Sequence, residues 1–372
     1  MWLIIAFSIA LHACYIGSKL VVSLYALQMG AGGLTIGVLA ALYALVPLML
    51  GIYAGRLTDT KGTRWPMLGG AVLVCAGMLA SFFSHGMSAL LITAVLTGAG
   101  FVFFNVAIQT LTGGQSRDDQ RARNFSNLSI GYSVSTFIGP VSVGLIIDHF
   151  GHAYAFLMLA LFAALPIIGL LASGRFNYVG TQKAGKQERS ALDLLRQPAV
   201  RSIVIVSGLM VAAWDLFAFY LPVYAHALHF SATTIGLLLG TFAVAAFITR
   251  FAMPLLLRRW RAERVMFACV VFAAGAFAAY PFSTNLHFML ALTFCLGLGL
   301  GCGQPLSMMI AFNRSPEGRN GEVTGLRLTA NNVARVVIPV FCGALGAAVG
   351  AAPVFWLNAV NLAAISLLVW RL

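Results

Sequence analysis

Apolar residues along this chain come in runs of about twenty, separated by short polar or glycine-containing stretches. The runs fall at about 2–28, 34–55, 65–84, 88–111, 125–147, 154–173, 202–224, 232–256, 264–283, 287–312, 322–347 and 353–370. A helix rises 1.5 Å per residue, so about 20 apolar residues cross the roughly 30 Å hydrocarbon core of a bilayer. The runs therefore read as twelve membrane-spanning helices, here called spans 1 to 12. A β-barrel would alternate apolar and polar positions over segments of about 10 residues, and these runs do not. Span 1 starts beside Met1 with no basic stretch before it, so it is expected to be retained rather than cleaved as a signal peptide.

Composition narrows the class. Charged residues make up 9% of the 372 and hydrophobic ones 60%, against roughly 25% and 45–50% in soluble domains. That excludes a soluble enzyme and a disordered chain alike. Cys14, Cys75, Cys269, Cys295, Cys302 and Cys342 all fall inside spans with no CxxC pair. They read as small core hydrophobes, not as disulfides or metal ligands.

The net charge of +13 is distributed by side. Basic residues occupy alternate loops: Arg56, Lys61 and Arg64; Arg117, Arg121 and Arg123; Arg175, Lys183, Lys186, Arg189 and Arg196; Arg258, Arg259, Arg261 and Arg264; Arg314 and Arg319; then Arg371. The loops between them hold no Lys or Arg. By the positive-inside rule both termini and the 174–200 segment are expected in the cytoplasm, in an inner membrane, and no nucleic-acid partner is expected. His85, His149, His152, His226, His229 and His287 lie at the opposite rim. Two of their pairs have a spacing that metals use, but polar residues tolerated where Lys and Arg are excluded account for them, and no metal is expected.

Sliding the chain on itself by 199 residues aligns Thr35-Ile36-Gly37 with Thr234-Ile235-Gly236, Gly98 and Gly100 with Gly297 and Gly299, and Pro140, Gly144 and Gly151 with Pro339, Gly343 and Gly350. Two six-helix bundles, 1–173 and 201–372, are expected, joined by a cytoplasmic linker at 174–200. Repeats of this kind place binding sites near the midplane.

Between spans 2 and 3 the chain reads Gly55-Arg56-Leu57-Thr58-Asp59-Thr60-Lys61-Gly62-Thr63-Arg64. This resembles the loop signature G-x-L-x-D-x-x-G-x-[RK] of the major facilitator superfamily, and the span count, repeat and basic linker extend the resemblance over the whole chain. It implies an all-α polytopic membrane protein, with twelve transmembrane helices as two pseudo-symmetric bundles around a central cavity, working by alternating access. Gly55 and Gly62 are expected to permit a tight turn. In the family the carboxylate matching Asp59 meets the N-terminus of span 11, so Gly55, Asp59, Gly62 and Arg64 are expected to form a conformational latch. Arg258 stands at the repeat position of Asp59, so one latch is expected. Gly139, Pro140 and Gly144 resemble the kink pattern of family antiporters, with Ser135 and Val143 in place of two glycines. Span 4 has Ala94 and Val95 where drug–proton antiporters usually place an arginine.

A few ionisable groups fall inside spans: Lys19, Asp215, Arg327 and Arg335, with Arg250 in span 8. Each costs about 2.5–3.5 kcal/mol at a helix centre, so a cavity or partner is expected beside it. Ser8, His12, Tyr15 and Lys19 share one helical face, as do Thr324, Arg327, Asn331 and Arg335. The family fold lines its cavity with spans 1, 4, 7 and 10, which brings in Asn105, Gln304 and Trp214. Substrate contact is expected from Lys19, Arg335, Tyr15, His12, Asn331, Asn105, Gln304, Trp214 and Arg327. Asp215 is either the proton-coupling group or a structural counter-ion for Lys19 or Arg335. The cationic excess points to a small organic anion. The leading expectation is a monomeric secondary transporter exporting that anion in exchange for protons, without cofactor or catalysis. The alternative is a proton-coupled multidrug exporter in which Trp214, Tyr15 and Phe104 bind lipophilic compounds.

Overall fold

The computed structural model describes residues 2–114, 118–173, 176, 191–314, 320–350 and 352–370. Its helices are α1 (Trp2–Gln28), α2 (Gly33–Lys61), α3 (Arg64–Phe83), α4 (Met87–Gly114), α5 (Asp118–Phe150), α6 (His152–Ala172) and α7 (Pro198–Ala227). They continue with α8 (Ala232–Arg259), α9 (Ala262–Ala279), α10 (Leu286–Gly301), α11 (Gly303–Arg314), α12 (Asn320–Val349) and α13 (Ala352–Trp370). Among the described residues, 12 helical segments are long and apolar enough to cross a membrane. Most of the expected linker lies outside the described residues; Ala191–Arg196 forms a short 3₁₀ turn.

The tenth crossing, Leu286–Ala311, combines α10 and α11, which part at Cys302. Pro305 has no N–H to return to the carbonyl of Gly301, four residues earlier. The Arg250 Nε–H takes that carbonyl instead, at 3.1 Å. The freed backbone group is thus satisfied inside the protein, as a span requires.

The 199-residue repeat is written in the helix bounds. Adding 199 to the starts of α2, α3, α4 and α6 (33, 64, 87 and 152) gives 232, 263, 286 and 351, against observed starts at 232, 262, 286 and 352. It is also written in the packing. An ideal Cβ on Gly100 would lie 2.4 Å from the Gly70 carbonyl oxygen and 2.8 Å from Val74; one on Gly299 would lie 2.7 Å from both the Cys269 carbonyl oxygen and Ala273. Positions 269 and 273 are 70 and 74 plus 199.

By proximity the chain forms two compact units, one of residues 1–31, 42–184 and 225–240, the other of 32–41, 185–224 and 241–372. In the first, α1 packs on α5 and α6, and α3 on α4 and α6; in the second, α9 packs on α10 and α13. The start of α2 belongs with the second unit, where Gly37 abuts the Pro339 carbonyl and Gly343. The start of α8 belongs with the first, where Gly236 abuts the Pro140 carbonyl. These two contacts are again 199 residues apart at both ends.

One expectation is corrected. Gly55 does not form a turn: α2 continues through it to Lys61. The reversal is carried by Gly62 at φ +79°, because one left-handed residue suffices and glycine takes it without a Cβ penalty.

Candidate functional site

In the second unit, Arg335 of α12 reaches Asp215 of α7, Nε donating to Oδ2 at 2.8 Å. Asp215 is 7% exposed, while the Arg335 side chain keeps 38%. Of the two structural partners expected for Asp215, the structure therefore brings Arg335. Trp214, next in chain, meets Phe242 edge-on at 4.5 Å, and the Arg250 guanidinium lies 5.6 Å from the Trp214 ring centre.

The first unit repeats this motif with other residues. Tyr15 stands at the repeat position of Trp214 and Tyr43 at that of Phe242. Their rings also meet edge-on, at 5.8 Å. The cation here is Lys19, with Nζ 4.8 Å from the Tyr15 ring centre and 5.9 Å from that of Tyr43. Tyr15 stacks on Phe101 at 3.9 Å, His12 lies 4.7 Å from the Tyr132 ring, and the Tyr132 hydroxyl donates to Asn105 Oδ1 at 2.8 Å. His12, Tyr15, Lys19 and Asn105 thus belong to one aromatic cluster. An aromatic face attracts a cation electrostatically without neutralising it, so these rings hold Lys19 in place as part of the cluster.

Arg327 and Asn331 sit in a separate buried cluster in the second unit. Arg327 is 4% exposed and donates from Nη1 to the hydroxyls of Ser207 at 3.2 Å and Ser307 at 3.4 Å. Ser207 donates to Asn331 Oδ1 at 2.9 Å. This arrangement fixes α7, α11 and α12 to one another. Gln304 is exposed, whereas Phe104 is 2% exposed and packs against Gly70, in the α3–α4 contact.

In the latch sequence, Arg64 donates from Nε and Nη2 to the Leu170 carbonyl at 3.2 and 2.9 Å, closing the end of α6. Thr63 donates to the Phe176 carbonyl at 2.8 Å. The side chains of Asp59 and Glu322 lie outside the described residues. Gly139 packs against the Ala13 carbonyl of α1, and Gly144, beyond Pro140, against Ala232 at the start of α8. Among the described residues no three His, Cys, Asp or Glu side chains gather as metal ligands. His149 bonds the Leu145 carbonyl of its own helix and His152 stacks on Tyr25.

Tyr43, Phe101, Tyr132, Ser207 and Ser307 belong to these clusters, although charge and spacing did not single them out. Tyr43 was accessible in principle, since it is the repeat mate of Phe242. Phe101 and Tyr132 have the polarity of ordinary span residues, and only their contacts mark them.

A helical membrane protein with an internal two-fold sequence repeat and a part-buried ion pair between spans has a carrier-type architecture. The chain matches the Major Facilitator Superfamily over residues 2–339 and belongs to that family. It is a multi-pass membrane transporter, not an enzyme. It is 21% identical over 354 residues to the quinolone resistance protein NorA of Staphylococcus aureus (93% of this chain, 89% of that protein). It is 26% identical over 336 residues to the class C tetracycline resistance protein of Escherichia coli (84% and 80%). A crystal structure of the peptide transporter POT superposes with TM-score 0.82 at 16% identity, covering 100% of this chain and 93% of that one. That likeness concerns the fold.

Proposed function

We propose that this transporter exports small organic molecules carrying an anionic group, by alternating access, with a proton bound at Asp215 as the coupling event. The observation that carries the reading is the Asp215–Arg335 pair at 2.8 Å. A planar guanidinium pairs a carboxylate or phosphate in the same way that it pairs Asp215, so a substrate anion competes with Asp215 for Arg335. Once displaced, the Asp215 carboxylate loses its guanidinium contact in a low-dielectric site, and taking up a proton offsets that loss. Anion binding and proton binding therefore favour each other. An anionic cargo coupled through this pair carries its proton with it, so its export runs down the cargo's own outward gradient; exchange for protons suits a neutral or cationic cargo. Export is the direction that the names of the resistance proteins support, and the positive-inside pattern supports a cytoplasmic side for the basic loops and both termini, in an inner membrane.

The second reading is a multidrug exporter of lipophilic compounds. Two observations favour it: the relatives' names, and the aromatic cluster of His12, Tyr15, Phe101 and Tyr132. Proteoliposomes containing a trapped pH dye separate the two. Under the anion reading, carboxylates move with protons, Arg335→Ala loses both fluxes, and Asp215→Asn keeps anion binding but loses proton movement. Carboxylate transport undiminished in Arg335→Ala would overturn it.

A further inference from the structure

At the arginine-rich end of the second unit, α9 begins and α13 ends side by side around an open cavity of about 410 Å³. Its walls are Arg261, Glu263, Arg264, Phe267, Val369 and Trp370. We propose that this cavity binds the headgroup of an anionic phospholipid, with an acyl chain lying along Phe267 and Trp370. The site is separate from Asp215 and Arg335, and the inference does not depend on what the protein transports.

Charge, shape and position each contribute. Glu263, the one acid in the wall, has both oxygens engaged: Oε1 accepts from Arg314 at 3.3 Å and Oε2 lies 3.8 Å from Arg261. Arg264 makes no ion pair or side-chain hydrogen bond among the described residues, and the Arg261 side chain is 74% exposed. The wall thus holds more guanidinium than it neutralises, with donors suited to phosphate oxygens. The opposite wall is apolar. Phe267 and Trp370 pack at 5.2 Å, and Trp370 remains 73% exposed. Indoles concentrate where headgroups meet hydrocarbon, and both helices have the ends of their membrane crossings at this point. Inorganic phosphate has no use for that aromatic wall, whereas a phospholipid fits both halves. Basic pockets between spans bind anionic headgroups in this way.

Native mass spectrometry of the purified full chain, titrated with phosphatidylglycerol, phosphatidylcholine or inorganic phosphate, tests the proposal. Phosphatidylglycerol is expected to bind tightest, and each arginine removed to weaken it about fivefold, so Arg261→Ala/Arg264→Ala loses on the order of twentyfold with phosphatidylcholine unchanged. Arg258→Ala/Arg259→Ala, on the same rim outside the cavity, is expected to stay within about twofold. Equal losses in both double variants would mean diffuse surface charge and overturn the site. Phosphate matching the lipid would overturn the lipid assignment. Should the double variant fold poorly, Trp370→Ala tests the apolar wall: phosphatidylglycerol binding unchanged there also overturns the proposal.

Discussion

The Asp148 carboxylate accepts the backbone amide of Thr233 at 2.6 Å, and its other oxygen accepts that of Ala232 at 2.9 Å. A helix leaves its first four amides without internal partners. At the start of α8, Ser231 takes the amide of Thr234 at 3.2 Å and Asp148, from the end of α5, takes the two before it. The repeat position of Asp148 is Ala347, so the matching start of α2 has no such carboxylate.

Removing this cap has a defined cost. Losing a capping side chain destabilises by about 1 kcal/mol, so Asp148→Ala is expected to speed amide exchange at Ala232 and Thr233 roughly fivefold. Asp148→Asn, which keeps one acceptor oxygen, should fall between. Hydrogen-exchange mass spectrometry of the peptide spanning the start of α8 gives the answer, and unchanged exchange would deny the carboxylate this role.

The paired glycines predict a sharper contrast. A Cβ on Gly37 would sit 2.5 Å from the Pro339 carbonyl oxygen, and one on Gly236 2.5 Å from that of Pro140. Both obstacles are backbone and cannot swing aside, so Gly37→Ala and Gly236→Ala are each expected to cost about 1–3 kcal/mol through overpacking. Gly55 faces open space, with nothing within 4 Å. Gly55→Ala should therefore raise helix stability slightly, by up to about 1 kcal/mol. Thermal unfolding of the three purified variants ranks them.

What the sequence made legible follows from the bilayer. Each crossing needs a long apolar run, so all the spans were readable, and the 199-residue shift exposed the pairing of Gly37 with Gly236 and of Pro140 with Pro339. Lys19, Asp215, Arg327 and Arg335 stood out because a charge in hydrocarbon is expensive. Their partners were less legible, since a partner is a matter of azimuth and tilt between helices. Arg250 shows why: its bond to the Gly301 carbonyl depends on Pro305 having released that carbonyl, a three-residue relation that no single motif encodes. Asp148 lies just beyond the run at 125–147, and nothing local marks it, because the helix it caps lies 84 positions away.

Charge balance at Asp215 yields a test of the pair itself. Breaking a fully buried ion pair costs about 3–5 kcal/mol; Arg335 is partly exposed, so a smaller loss is expected. Asp215→Ala takes the carboxylate from the guanidinium and Arg335→Ala takes the guanidinium from the carboxylate, and each should unfold more readily than the wild type. Asp215→Ala/Arg335→Ala removes both charges and should recover part of that stability while remaining inactive. Detergent-solubilised melting curves for the four proteins form a double-mutant cycle. Strict additivity would mean that the two side chains do not support one another.

Lys19 and Tyr15 separate the anion reading from the lipophile reading most cleanly. The ammonium lies 4.8 Å from the ring centre of Tyr15, which itself stacks on Phe101. A cation over an aromatic face gains about 0.5–2 kcal/mol, so the ring steadies Lys19 without supplying the opposite charge. If the cargo is anionic, Lys19→Met removes the attraction that binds it, and transport should fall by about tenfold or more. Tyr15→Leu then costs only the steadying contribution, a few-fold in apparent affinity. If the cargo is lipophilic and uncharged, the order reverses: Tyr15→Leu strips the stacking surface, while Lys19→Met leaves efflux nearly intact. Parallel uptake assays with a fluorescent carboxylate and a neutral dye in membrane vesicles measure both rankings at once. A carboxylate flux more sensitive to Tyr15→Leu than to Lys19→Met would transfer the assignment to the lipophile.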